Sequence, residues 1–113
     1  MRRSVRLADA LRLQLEAVRD DAGLRAVVIA DDDGFEVAAV GDATQCAELA
    51  AVAPIVARGH IGDDARERLA REDVVVRAIP ASVRLYVCAA GGTGSRGDAL
   101  QRAGEGTKRI LGL

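Results

Sequence analysis

Aromatic residues are almost missing from this 113-residue chain: Phe35 and Tyr86 are the whole complement, with no tryptophan. A core must then be assembled from Val, Leu, Ile and many alanines, and alanine-lined contacts let elements approach closely. Histidine is represented by His60 alone, and Ser4, Ser82 and Ser95 sit in no nucleophile motif, which leaves little from which to build a catalytic constellation. Cys46 and Cys88 form no C-x-x-C pair and read as two reduced, buried thiols. With His60 they would supply three metal ligands, but the spacing matches no zinc pattern. Net charge is also lacking: the formal value is −1 with both signs interspersed, so no broad basic field exists for a phosphate backbone and nucleic acid is not an expected partner. Lys108 is the only lysine, an arginine bias of the kind that GC-rich bacterial genomes produce. No run approaches the roughly 20 apolar residues that span a bilayer, and the start MRRSVRLADALRLQLE has no uninterrupted apolar stretch of the signal-peptide kind. A soluble, cytoplasmic, single-domain protein over residues 1–113 is expected, with no membrane insertion and no cofactor.

What is present has clear periodicity. Val5, Ala8, Leu11, Leu15, Val18 and Ala22 recur at three- and four-residue intervals, and Gly23 follows as a stop, predicting a helix from about Ser4 to Ala22. RAVVIAD is apolar on both faces from Ala26 to Ala30, as in a strand covered on both sides. FEVAAV is a second, shorter strand, and DDDG between the two has the chemistry of a tight turn. Thr44 is placed to cap a helix running to Gly59, with Pro54 kinking or splitting it. Residues 60–73 read as a short helix capped by Asp63 or Asp64, with a charged edge strand as the alternative. VVVRAI and VRLYVCAA, joined by PAS, predict an antiparallel hairpin. Asp98 to Leu111 closes the chain as a helix.

Two stretches imitate ligand motifs. With Gly34 set as the sixth position of an EF-hand loop, Asp31 and Asp33 fall at the third and fifth, but Ile29 and Val40 occupy the first and twelfth, so the calcium loop fails at both ends. GGTGSRG holds G-x-G-x-x-G as Gly92, Gly94 and Gly97 between a strand and a helix. The chain ends sixteen residues after Gly97, with no further strand and no acid for a ribose, so no dinucleotide-binding unit is completed. A phosphate caught at the helix N-terminus is the remaining possibility there.

The middle helix is more informative. Between Cys46 and Ala57, Glu48 is the only charge, and Leu49, Val52, Ile55 and Val56 are spread around the circumference. A helix apolar all round needs cover on both sides, which points to an interface with a second protomer or a partner; the competing reading leaves its alanines exposed to water. If Pro80 and Ala81 centre the second hairpin, Arg77 faces Arg84 directly, on the face of Tyr86. Like charges so placed are unfavourable unless water or carboxylates relieve them. They are either solvated or a site for an acidic partner.

Helix, a hairpin carrying VVIADDDGFEVAAVG, the apolar helix AELAAVAPIVARG, a strand pair and a closing helix together resemble the Roadblock family, which takes in dynein light chains and MglB-like bacterial regulators. The resemblance covers nearly the whole chain, and its most specific piece is the Asp31–Gly34 turn between an apolar strand and a strand of small residues. It implies an α+β fold: a central five-stranded antiparallel sheet, the first and last helices on one face and the middle helix on the other. It also implies dimers that extend the sheet, bring the middle helices together and bind Ras-like small GTPases. Residues 60–73 depart from the family, which has a third strand at the dimer edge there. The expected function is a non-enzymatic homodimeric module that binds and regulates or scaffolds a bacterial Ras-like GTPase. Its expected interface residues are Leu49, Val52, Ile55, Val56, Arg77 and Arg84. A ligand- or nucleotide-sensing domain using the Gly92–Gly97 loop, and a structural adaptor without a GTPase, are the other readings.

Overall fold

The computed structural model describes residues 2–60, 62–92 and 96–113. The helical periodicity at the start becomes α1 (Arg2–Ala22), followed by β1 (Leu24–Asp31), β2 (Glu36–Val40), α2 (Ala43–Ala57), α3 (Asp63–Arg71), β3 (Val74–Ile79), β4 (Leu85–Gly91) and α4 (Arg96–Leu111). The strands make one four-stranded sheet in the order β2-β1-β4-β3, and every neighbouring pair is antiparallel. The central strands β1 and β4 are the apolar ones: Ala26 to Ala30 and Leu85 to Gly91 are buried throughout.

Alternation along those strands divides the core into two layers. Val27, Ile29, Val87 and Ala89 join Leu15 and Val18 of α1 and Leu100 and Ala103 of α4. Ala26, Val28, Ala30, Cys88 and Ala90 join Cys46, Leu49, Ala50 and Ala53 of α2. The second layer is built of small side chains on both sides, so the predicted close approach of alanine-lined elements is realised there.

Four strands replace the expected five because residues 63–71 are helical. Asp63 and Asp64 occupy the first turn of α3 and Arg68 and Arg71 the last, the arrangement that complements a helix dipole, and Leu69 is its buried residue. The cap of α2 also differs from expectation. Asp42, two residues before Thr44, accepts the Gln45 N–H at 3.0 Å. Pro54 does not split α2 into two elements; it lies buried in one continuous helix. The helix ends where Gly59, at φ +74°, allows the N–H of His60 to reach Ile55 and that of Gly59 to reach Val56, a Schellman closure.

The register of the second hairpin corrects the arginine pairing. Arg77 is opposite Val87, Ala78 opposite Tyr86 and Ile79 opposite Leu85, so residues 80–84 form a five-residue connection, and Arg84 lies outside the strand. The predicted register is offset from this by three residues. An odd offset exchanges the faces of a strand and would turn Ile79, now 4% exposed, away from the layer in which it packs.

Candidate interaction surface

The turn at residues 31–34 is held by its own backbone and by α2. Asp31 Oδ1 accepts the N–H of Asp33 at 2.9 Å and of Phe35 at 3.0 Å, and the Gly34 N–H donates to the Asp31 carbonyl. Gly34 takes φ +86°, and a Cβ there would stand 3.3 Å from the Ala51 Cα of α2. The missing N–H at Pro54 leaves the Ala50 carbonyl without its helical donor, and Gly34 packs beside that carbonyl. Hairpin tip and helix therefore present one surface.

Asp32 ties the two together. Its Oδ1 accepts the Tyr86 hydroxyl at 2.7 Å and lies 2.5 Å from Arg58 Nη2 at the end of α2. Arg58 also donates to the Asp32 carbonyl, and Arg84 approaches Oδ2 at 3.8 Å. The Tyr86 hydrogen bond, then the Arg58 hydrogen bond and charge, hold the Asp32 carboxyl below its ordinary range. The same bond to Asp32 raises the Tyr86 phenol. Neither Arg58 nor Tyr86 figured among the expected site residues. A signal was present: the one tyrosine of the chain lies in a strand buried on both faces, and a buried tyrosine hydroxyl usually requires a partner.

The expected interface residues separate. Leu49 is 3% exposed and belongs to the chain's own core. Ile55 is outward, at 42% exposure, in one line with Ala47 and Ala51, which are also exposed. Phe35, at 69%, adjoins Ala47 in a shallow depression that includes Gly34. Val52 and Val56 are half-buried at the flank facing α3, where clefts place them beside Leu69. Arg84 stands at the Asp32 end of this surface. Arg77 lies on the opposite face of the sheet, beside α4. The outward surface is thus Phe35, Ala47, Ala51 and Ile55, with Val52 and Val56 at one margin and a charged knot at one end.

The other candidates contribute less. Cys46 and Cys88 are both free and buried; burial raises both thiols, Cys88 to about 12. Gly94 of the glycine motif lies outside the described residues. No helix among the described residues is long and apolar enough to cross a membrane.

No family profile and no curated protein sequence matches the chain. Solved structures do. The gliding protein MglB of Thermus thermophilus superposes with a TM-score of 0.64 at 18% identity, over 92% of this chain and 90% of that one. The fold is of the Roadblock/MglB type. Myxococcus xanthus MglB gives a TM-score of 0.59 at 14% identity, over 92% of this chain and 89% of its own.

Proposed function

We propose that the chain is a non-enzymatic Roadblock-type module that forms a homodimer and binds a Ras-like small GTPase as a regulator or scaffold. The observation that carries this reading is the exposed apolar line on α2 and the hairpin tip, set on an MglB-like fold. Phe35 and Ile55 are large apolar side chains left in water, and their removal from water is the driving force for association. Arg84, with its side chain 76% exposed, offers a cation at the rim of the same surface, where charge steers encounter with an acidic partner. Val52 and Val56 would complete the contact at its α3 margin.

Light scattering on the purified protein tests the dimer. Immobilised protein exposed to lysate with excess GTP analogue or GDP tests the partner. A dimer that retains a Ras-like GTPase in one nucleotide state supports the reading. A monomer at high concentration that retains no GTPase in either state rejects it.

A further inference from the structure

Helix α4 has two buried glycines in its interior, Gly104 and Gly106, and mid-helix glycine weakens a helix relative to alanine. Gly106 has a packing reason, because a Cβ there would stand 2.6 Å from the Gln14 side chain of α1. Gly104 has none of that kind. Its backbone is helical, and a Cβ would meet Ile79 Cγ1 at 3.5 Å and Val87 Cγ2 at 3.8 Å, ordinary contact distances. An alanine would fit, and its methyl would occupy the floor of a cleft.

That cleft, of about 170 Å³, lies between α4 and the end of β3. Ile79, Val87, Leu100 and Gly104 give it an apolar interior, while Arg77 and Lys108 stand at its polar margin. Glu105, also at the margin, is engaged by the Gln101 amide at 3.0 Å. Among the described residues, the side chains of Arg77 and Lys108 have no hydrogen bond or ion pair. Two uncommitted cations beside an apolar hollow complement an anion that carries a small hydrocarbon body. An apolar cavity of about 150 Å³ holds one benzene ring, and drug-sized ligands need roughly 300–1,000 Å³.

We propose that this cleft is a binding site for a small monocarboxylate with one ring or a short alkyl chain, its hydrocarbon over Gly104 and against Ile79 and Leu100 and its carboxylate between Arg77 and Lys108. The site lies on the face of the sheet away from α2 and does not depend on the GTPase reading.

The test uses the full chain, labelled with nitrogen-15, and phenylacetate and hexanoate as probes. They are titrated to roughly 10 mM, since so few atoms give millimolar dissociation constants. Amide shifts should cluster at Arg77, Ile79, Gly104 and Lys108, and neutral 2-phenylethanol should bind at least about tenfold more weakly, one step of roughly 1.4 kcal/mol. Gly104→Ala should raise the melting temperature of the unliganded protein and weaken phenylacetate binding. Arg77→Gln, at an exposed position, should weaken the acids without altering the melting temperature. The proposal is overturned if neither acid perturbs these amides, if 2-phenylethanol binds as well as phenylacetate, or if both variants bind unchanged. A blocked Leu-Asp peptide that binds where the free acids do not would make the cleft a protein-docking site and also overturn it.

Discussion

Asp32 is a residue whose chemistry is set by its neighbours. Its carboxylate accepts a phenol and faces two guanidinium groups, so its pKa is depressed in the folded protein. A carboxyl of this kind adds stability above its unfolded pKa, about 3.9, and loses that contribution as pH falls through the lower folded value. The stability difference between the protein and its Asp32→Asn variant should therefore be constant from neutral pH down to about 5 and shrink below about 4. Urea titrations across that range measure it; a gap that persists undiminished at the acid end would show that the knot does not depend on charge. Tyr86→Phe removes the first cause of the depression, and carbon-detected NMR titration should then find Asp32 titrating at higher pH. Cys88 offers a separate test. With its thiol at about 12 and buried, it holds almost no thiolate, the reactive form. Iodoacetamide at pH 8 should leave Cys88 unmodified by mass spectrometry in the native protein and alkylate it in guanidinium chloride.

The elements show which signals in the chain were readable. The first hairpin was legible because DDDG carries the Asp/Gly chemistry of a tight turn, and Gly34 takes the positive φ that such turns favour. Gly34→Val should destabilise by about 1–3 kcal/mol from backbone strain alone, with the Ala51 contact adding to it, while Asp33→Asn should be near neutral because Asp33 is exposed. Equal midpoints in urea for the two variants would mean that the turn tolerates another conformation. The second hairpin was less legible. Val83 continues the apolar alternation of β4 in sequence, yet the strand begins at Leu85, because the two-layer core sets which face of β3 turns toward α4, pairing Ile79 with Leu85 in that layer, and only the packed structure contains that information. In α2 the presence of the helix was readable, but its inward side was not: alanine or a branched aliphatic occupies nearly every position, so Leu49 and Ile55 look alike until the sheet selects Leu49. For residues 63–71 a helix begun at Asp63 or Asp64 and a charged edge strand were both readable, the family likeness supplied the fifth strand, and the helix is what forms.

At the scale of the whole molecule, the helix at residues 63–71 alters what an assembly can use. The family resemblance places a strand at the dimer edge, and here α3 takes that stretch of chain, so sheet extension through it is not available in this conformation. The exposed side of α2 and the hairpin tip become the surface on which the proposed dimer and GTPase contacts rest. Two substitutions separate that surface from the core beneath it. Phe35→Glu with Ile55→Glu places carboxylates at positions that are 69% and 42% exposed; in a monomer they stay hydrated, whereas in an apolar interface they would be desolvated without partners. Leu49→Ala removes side-chain volume from a position 3% exposed and should cost about 2–5 kcal/mol of folding stability. The double variant is expected to keep the circular dichroism and melting temperature of the monomer while losing self-association and GTPase capture. Leu49→Ala should lower the melting temperature yet retain both at temperatures where it is folded. Light scattering and pull-down on the two proteins decide the matter, and a double variant that remains dimeric and still captures the GTPase would remove this face of α2 from the interface.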